Sequence, residues 1–369
     1  MSDARIDALA KVIVDFSIGL KAGDLFRLRS ETVAEPLVLA IYKLAVERGA
    51  MPLLRLALPG QSHTFFRYAA EGLLDQISPA TVWESENITA DLVIFSDTNT
   101  KEMSGIDPSR QARVQKAARP MMQRWMERAF TSPPEIRWCG TLYPTLAYAQ
   151  DAGMSLEDYK TMVFKAMFLD LPDPVAAWNE LSKEQARYCD YLNQRSEIHI
   201  EAEDTDLTMS VEGRTWINAD GHLNFPDGEV FTGPVENSVN GTIRYPYPTN
   251  YHGRQAEDVR LWFENGYVTR WEAKQGKDLL DELFAMDEGA RRLGEVAIGN
   301  NYQVPEFTGN ILFDEKIGGT CHLAVGNSIP GTGGVNVSAL HWDMVCDLRR
   351  GGRVSADGEI IHENGVWKI

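Results

Sequence analysis

The first half of the chain alternates between helical and extended hydrophobic patterns. Apolar residues from Ile6 to Ile18 and from Glu35 to Arg48 follow helical spacing, whereas Asp24 to Arg29 and Met51 to Leu58 alternate as strands do. Leu92 to Phe95 is a short apolar run of the kind found in parallel strands that are buried on both faces. Helices between such strands predict an open, mainly parallel sheet in an α/β domain.

The pattern changes character near residue 194. Residues 110–128 and 155–191 keep helical spacing, but from Ile198 onward apolar and polar residues alternate, and Gly and Asn turns recur towards the C-terminus. This predicts mostly antiparallel strands, interrupted by one helix from Lys277 to Leu293.

Length and composition agree with two folded domains. The chain has 369 residues, of which 44% are hydrophobic and 24% are charged, so it has enough apolar residues for two cores. We place the boundary after residue 192, between an α/β domain (residues 1–192) and a β-rich α+β domain (residues 193–369). A formal net charge of −17 opposes binding to nucleic acid and to anionic membranes.

The chain is expected in the cytoplasm. Its first residues include acidic ones where a signal peptide would be basic, and no stretch approaches the roughly 18 apolar residues of a membrane span. The cysteines at positions 139, 189, 321 and 346 are scattered without a Cys-x-x-Cys pair. That spacing is typical of free thiols in a reducing compartment.

The clearest candidate chemistry lies in the segment Ser338-Ala-Leu-His-Trp-Asp-Met344. If this segment is a strand, its period of two places His341 and Asp343 on one face and Trp342 on the other. One imidazole and one carboxylate on a face can bind a metal ion, although such a pair also forms ordinary hydrogen bonds. This segment therefore predicts a metal site only in combination with other segments.

Three further polar residues stand in apolar surroundings of the same domain. His322 lies in Thr-Cys-His-Leu-Ala-Val, and Glu229 and Glu295 each lead into an apolar, strand-like run. Burial of such a group without a partner is costly, so each needs a hydrogen bond, an exposed position or a ligand. A hydrogen-bonded core histidine and two exposed strand residues are the alternative interpretations.

Together, the five residues would make an electrically balanced site for two metal ions. Glu229, Glu295 and Asp343 carry three negative charges, and two divalent ions with one hydroxide bring the total to zero if His322 and His341 are neutral. Mixed nitrogen and oxygen ligands suit zinc, cobalt or manganese. Two such ions can polarise a carbonyl and activate a water molecule.

Four segments of the second domain occur in this order in one known family. They are Asn224-Phe-Pro-Asp-Gly-Glu-Val-Phe-Thr-Gly-Pro234, Arg292-Leu-Gly-Glu295, Cys321-His-Leu-Ala-Val-Gly326 and His341-Trp-Asp-Met344. They resemble the aminopeptidase T and aminopeptidase S family of metalloaminopeptidases, most specifically over residues 220–369. The resemblance implies a homodimer that releases N-terminal residues from short peptides. It also implies a two-metal site, whose ligands in the family match Glu229, Glu295, His322, His341 and Asp343.

One position departs from the pattern of that family. Family members usually carry a Tyr seven residues after the first metal-binding His, and Ile329 stands there in Gly326-Asn-Ser-Ile-Pro330. The phenol is thought to assist the tetrahedral intermediate, and loss of one such donor typically costs about 3 kcal/mol. Tyr251, His252 and Tyr302 are candidates to replace it.

The leading hypothesis is an aminopeptidase in which Glu295 or a neighbouring carboxylate moves the proton. Glu236 or Asp227 would bind the α-amino group of the peptide. Because of Ile329, a metal-dependent hydrolase or aminohydrolase for small amides or aromatic compounds is an alternative, as is an iron-dependent ring-cleaving dioxygenase. A catalytically inactive binding protein is the third hypothesis, and the retention of all five ligands argues against it.

Overall fold

The structure is a computed structural model that describes residues 3–251 and 253–369. It confirms the mixed α/β fold class that the sequence predicts, with a parallel sheet followed by β-rich antiparallel sheets. By its internal contacts, the chain divides into two compact units. The first consists of Met1–Val175 with Gly221–Phe225, and the second of Ala176–Asp220 with Pro226–Ile369.

The helices fall mainly in the first unit. In chain order they are α1 (Ala4–Val12), α2 (Glu35–Glu47), α3 (Gln61–Tyr68), α4 (Pro79–Asn87), α5 (Pro108–Ala129), α6 (Leu146–Asp151), α7 (Leu156–Ala166), α8 (Pro174–Leu192), α9 (Lys277–Leu283) and α10 (Ile311–Asp314). A π-helical turn (Ile13–Ser17) continues α1, and short 3-10 turns cover Thr32–Ala34, Glu71–Leu73 and Glu288–Arg291. Within the described residues, no helix is both long and apolar enough to cross a bilayer.

The strands are short and fall mainly in the second unit. They are β1 (Leu25–Glu31), β2 (Met51–Ala57), β3 (Ala90–Phe95), β4 (Arg137–Leu142), β5 (Glu197–Ala202), β6 (Thr205–Ser210), β7 (Ile217–Ala219), β8 (Asn224–Phe225), β9 (Glu229–Thr232), β10 (Asn240–Tyr245), β11 (Thr249–Tyr251), β12 (Arg254–Ala256), β13 (Val259–Glu264), β14 (Tyr267–Glu272), β15 (Leu293–Gly299), β16 (Thr320–Gly326), β17 (His341–Asp347), β18 (Arg353–Ala356), β19 (Glu359–Glu363) and β20 (Val366–Trp367).

The first unit contains a parallel sheet in the order β2-β1-β3-β4-β8. Strand β3 lies in its centre, and Leu92 and Ile94 are almost completely buried there. These two residues lie on one face of the strand, whereas on the other face Val93 is partly buried and Phe95 is 44% exposed. The continuous apolar run therefore marks a strand that is completely buried on one face only.

One buried ion cluster interrupts the apolar surroundings of this parallel sheet. Asp91 of β3 is 1% exposed and accepts hydrogen bonds from the guanidinium groups of Arg27 and Arg29 of β1, at 2.7 and 2.9 Å. Arg27 is itself 7% exposed. A second buried carboxylate, Glu84, lies 3.8 Å from the Arg27 guanidinium, so Asp91 with its shorter contacts is the main counter-ion, and its loss would leave the charge of Arg27 with only this longer ion pair.

Two antiparallel sheets make up most of the second unit. One has the order β14-β13-β10-β6-β5-β18-β19-β20 and the other the order β17-β16-β15-β9-β7. They share one apolar core, to which the second sheet contributes Val296, Leu323 and Met344 among others. Alternate residues of β15, β16 and β17 therefore point away from this core, and they form the opposite face of the five-stranded sheet.

A bulge changes the alternation of β15 near its start. The pairing of β15 with β16 shifts register between Leu293 and Glu295, so Leu293 packs in the shared core whereas Glu295 does not. Gly294 occupies this bulge, and a Cβ atom there would lie 2.2 Å from the carbonyl oxygen of Asn327. Only glycine fits this close approach of two backbones, and the bulge turns Glu295 to the face opposite the core.

Two predicted helical stretches were too long. The helix expected from Lys277 to Leu293 ends at Leu283, because the Asp287 carboxylate caps a separate 3-10 turn by accepting from the Ala290 amide. The stretch from 155 to 191 is two helices, α7 and α8. Phe168 between them has a φ of 57°, which an α-helix cannot accommodate.

The division between the units differs from the boundary placed after residue 192. That residue is the C-terminal end of α8, whereas the contacts divide the chain near its N-terminal end, between Val175 and Ala176. Tyr188, Cys189 and Leu192 on the buried side of α8 belong to the core of the second unit, which explains the difference. Residues 221–225 return to the first unit as β8.

Replacing Asp91 with Asn should destabilise the first unit by about 3 kcal/mol, because Arg27 remains charged and buried. The matched change Asp15→Asn removes an ion pair with Arg48 in which both side chains are at least 30% exposed, and it should leave the urea midpoint almost unchanged because solvent screens this pair. Urea denaturation of the two variants measures the difference. Equal, small losses would contradict the assignment of Asp91 as an essential buried counter-ion.

Candidate metal centre

Four neighbouring strands of the second unit bring the five candidate side chains together. Glu229 begins β9, Glu295 lies in β15, His322 lies in β16, and His341 and Asp343 lie in β17. These strands are consecutive in the sheet order β17-β16-β15-β9. On β17, Trp342 packs in the shared core, so the two flanking residues face the other way.

The five candidate side chains form two groups that share Glu295, and His322 and Asp343 form a third group with Glu315. His322 Nε2 lies 3.4 Å from Glu229 Oε2 and 3.7 Å from Glu295 Oε1. His341 Nε2 lies 3.3 Å from Glu295 Oε2 and 3.5 Å from Asp343 Oδ2. Each oxygen of the Glu295 carboxylate therefore faces one imidazole. Within each group, the potential ligand atoms lie within 4.8 Å of one another, close enough to hold one metal ion.

Backbone carbonyls orient both imidazole rings. His322 Nδ1 lies 3.0 Å from the carbonyl oxygen of Glu315, and His341 Nδ1 lies 2.8 Å from that of Asn327. Because a carbonyl oxygen can only accept, each Nδ1 carries the hydrogen. Burial lowers the pKa of each ring, but attraction by the neighbouring carboxylates outweighs it and raises the pKa to about 10, so without metal Nε2 also carries a hydrogen and faces Glu295. A metal ion would replace that hydrogen and bind the lone pair of Nε2, as it does in other histidine sites.

Two buried carboxylate oxygens at the centre have no hydrogen-bond partner among the described residues. They are Glu229 Oε2, which faces His322, and Asp343 Oδ1. A buried oxygen with partial negative charge is costly unless a donor or a cation satisfies it. Together with the carboxylate and imidazole composition, this observation fits a site for divalent ions such as zinc, cobalt or manganese.

The pKa values reflect competition between burial and charge. Burial raises the pKa of Glu229 to about 8, although Lys316 and His322 oppose it, and burial raises that of Asp343 to about 6. Burial also acts to raise the pKa of Glu295, but hydrogen bonds from His322 and His341 outweigh it and hold that pKa well below its usual range. Glu295 is thus the anionic centre, whereas the outer carboxylates need additional positive charge to stay ionised.

Lys316 is a component of the centre that the sequence analysis missed. Its ammonium is 1% exposed and lies 2.5 Å from Glu229 Oε1, 2.7 Å from Glu315 Oε1 and 3.4 Å from Asp227 Oδ1. Burial lowers the pKa of this ammonium, but attraction by the three carboxylates outweighs it and holds the pKa well above its usual value. The sequence signal was a Lys beside acidic residues just before the buried Gly318-Gly-Thr segment.

The sequence analysis also missed Glu315, the neighbour of Lys316 in the same segment. Its carboxylate is 13% exposed and offers an oxygen within 4.8 Å of ligand atoms of His322 and Asp343. The short helix α10 ends at Asp314, so Glu315 and Lys316 follow directly in the segment that leads to β16. The chain therefore presents a carboxylate and an ammonium to the centre from consecutive residues.

Ile329, in the position of the family Tyr, belongs to an apolar cluster. Ile329 and Ile217 are partly buried and pack against Ala219, Phe231 and Ala297. Ala297 pairs directly with Phe231 on one side and with His322 on the other. Directly opposite residues on one face of a sheet are close neighbours, so this cluster adjoins the candidate centre.

The other candidates from the sequence contact protein groups or lie outside the described residues. The Glu236 carboxylate accepts hydrogen bonds from Arg214 and from the Val335 amide, and Asp227 is fully buried near Lys316. The Tyr302 hydroxyl donates to the carbonyl of Gly365. The ring of Tyr251 packs edge-on against Trp342. His252 lies outside the described residues.

Comparison with known proteins identifies the family. The model of the thermophilic metalloprotease family M29 matches residues 2–367. Aminopeptidase 2 of Geobacillus stearothermophilus is 29% identical over 411 residues, which cover 99% of this chain and 98% of that protein. Aminopeptidase AmpS of Bacillus subtilis (strain 168) is 28% identical over 98% of each chain. These matches confirm the resemblance seen in the sequence segments.

Two solved structures share the fold. Wild-type AmpT from Thermus thermophilus superposes with a TM-score of 0.84 at 23% identity, over 99% of each chain. The 2,5-dihydroxypyridine dioxygenase of Pseudomonas putida KT2440 gives a TM-score of 0.60 at 13% identity, over 100% of this chain and 98% of that chain. These two structures show that the fold is shared, and the family match covers nearly the whole chain. This chain belongs to the M29 family of thermophilic metalloproteases and is a hydrolase of the metalloaminopeptidase type.

Proposed function

We propose that this chain is an aminopeptidase that releases N-terminal residues from short peptides, with two divalent metal ions held by Glu229, Glu295, His322, His341 and Asp343. The observation that carries the proposal is the pair of ligand groups that share Glu295. The two buried oxygens without a hydrogen-bond partner support it. The full-length similarity to proteins named aminopeptidases supports the choice of substrate.

Each group would hold one ion. Glu229, Glu295 and His322 form the more buried position, and Glu295, His341 and Asp343 form the position nearer the surface. The His341 side chain is 34% exposed, so we place the approach of the substrate on this side. When bound, paired divalent ions lower the pKa of a water molecule and polarise a carbonyl group.

Proton transfer requires a carboxylate that is close to the centre and has an oxygen that does not serve as a metal ligand. Glu295 has both oxygens directed at imidazoles, so it is better suited to holding metal ions than to moving protons. Glu315 lies beside His322 and Asp343 and is partly exposed. We therefore assign Glu315 as the group that accepts a proton from the attacking water and passes it to the leaving amine.

The apolar cluster around Ile329 affects both the stabilisation of the oxyanion and the choice of substrate. Without a phenol at this position, the centre offers no donor from Ile329 to the developing oxyanion, which would reduce the rate unless another group assists. The same cluster provides an apolar wall next to His322. A peptide with an apolar N-terminal residue would bury that side chain against it.

A second candidate is hydrolysis of a small amide or aromatic compound at the same centre. The replacement of the family Tyr by Ile329 and its packing in an apolar cluster favour this candidate. An iron-dependent ring-cleaving dioxygenase would need one metal position, whereas the chain keeps two groups around Glu295. A binding protein without catalysis would have no reason to hold two metal equivalents.

We expect metal-dependent release of the N-terminal residue from aminoacyl anilides and dipeptides. Metal-free protein should be inactive, and zinc, cobalt or manganese should restore turnover. Apolar N-terminal residues should exceed charged ones in kcat/KM by about 10-fold or more, since a charged group would be desolvated against the Ile329 cluster. If protein that binds two equivalents of metal hydrolyses none of these substrates, small amides and aromatic compounds become the favoured substrates. Oxygen-dependent turnover with iron alone would favour the dioxygenase.

Two carboxylate variants should separate metal binding from proton transfer. Glu295→Gln should abolish turnover and reduce the metal content measured by mass spectrometry, because both groups lose their shared ligand. Glu315→Gln should keep two equivalents of metal but lower kcat by about 100-fold. A Glu315→Gln enzyme with unchanged kcat would remove Glu315 from the mechanism, and an active, metal-loaded Glu295→Gln enzyme would refute the shared ligand.

A further inference from the structure

We infer that Lys316 is a resident counter-cation of the centre, which stabilises the metal-free fold and moderates the affinity for metal ions. The inference rests on the proposed ligand set, because it needs a divalent ion beside Glu229. It concerns a residue that lies outside that set and whose side chain is 1% exposed.

The geometry excludes a role in direct contact with substrate. The ammonium has three hydrogens, and three carboxylates surround it, from Glu229, Glu315 and Asp227. The ammonium donates a hydrogen bond to Glu229 at 2.5 Å and forms ion pairs with Glu315 at 2.7 Å and Asp227 at 3.4 Å, and with 1% of the side chain exposed it is not accessible to a substrate atom. Burial closes the site to solvent from this side.

Charge explains why a cation is needed at this position. Five carboxylates surround the centre, from Asp227, Glu229, Glu295, Glu315 and Asp343. With Lys316 their formal charge is −4, which two divalent ions neutralise when the solvent molecule between them is water and not hydroxide. Lys316 keeps its positive charge with or without metal ions and contacts Glu229, Glu315 and Asp227, whereas the two imidazoles must be neutral once they act as ligands. Buried carboxylates without a counter-ion are strongly destabilising.

The same position places Lys316 in competition with a metal ion. Glu229 gives Oε1 to the ammonium and directs Oε2 towards His322. An ion bound at Oε2 would be separated from the ammonium by one carboxylate group, so the two positive charges repel each other at short range. Lys316 therefore stabilises the metal-free state more than the metal-bound state. By thermodynamic linkage, its removal must strengthen metal binding by the same factor.

Lys316→Met tests this inference, since Met keeps the length of the side chain and removes the charge. In the presence of a chelator, its midpoint of thermal unfolding should fall by about 10 °C. Saturating zinc should recover most of that loss, and the association constant from calorimetry should rise by about 10-fold or more. The control Lys183→Met removes an exposed partner of Glu180, and neither quantity should change.

A charge-matched variant separates electrostatics from packing. Lys316→Met combined with Asp227→Asn has the same formal charge at the centre as the natural protein. In the presence of a chelator, this double variant should therefore unfold at a higher temperature than Lys316→Met alone. If Lys316→Met folds only when zinc is present, while the natural protein folds in chelator, the inference holds.

Three results would overturn the inference. They are an unchanged metal-free midpoint, failure of Lys316→Met to fold even with zinc, and a 10- to 100-fold fall in metal affinity, which would mean that Lys316 only orients Glu229. If the natural protein binds no divalent ion at all, the proposed function fails by itself. The metal-free midpoint of Lys316→Met then still decides whether Lys316 is the counter-ion.

Discussion

The structure of the second unit depends on the burial of several carboxylates on one face of a β-sheet. Glu229 and Glu295 are 4% and 3% exposed, and their strands have apolar side chains on the opposite face. Such groups are tolerated in a protein interior only when cations or donors compensate them. Two imidazoles and one ammonium supply part of that compensation, and the remaining unsatisfied oxygens leave a centre that favours divalent ions.

The periodicity of apolar residues predicted much of the fold. The parallel strands of the first unit and the β-rich second unit follow directly from it, because burial on one or both faces fixes the pattern of each strand. The ends of α7 and α9 could not be predicted in this way. Their apolar spacing continues, and local backbone features at Phe168 and Asp287 end the helices instead.

The candidate site was only partly accessible from the sequence. The spacing of His341 and Asp343 indicates a shared strand face without further information, whereas Glu229 and His322 gain significance only when β9 and β16 become neighbours of β15. Lys316 and Glu315 belong to an irregular segment, where no period relates sequence position to direction. Their participation depends on tertiary contacts, which the residue pattern of this segment does not encode.

The bulge at Gly294 has a consequence for how this sheet can change over evolution. It separates β15 into two segments with opposite phase, so the segment before it packs the hydrophobic interior and Glu295 after it serves the polar face. Mutations in the upstream segment can therefore repack the interior without rotating the carboxylate. Conversely, loss of the bulge without loss of a residue would restore strict alternation and place Leu293 and Glu295 on the same face, so either the leucine would leave the interior or the carboxylate would leave the polar face.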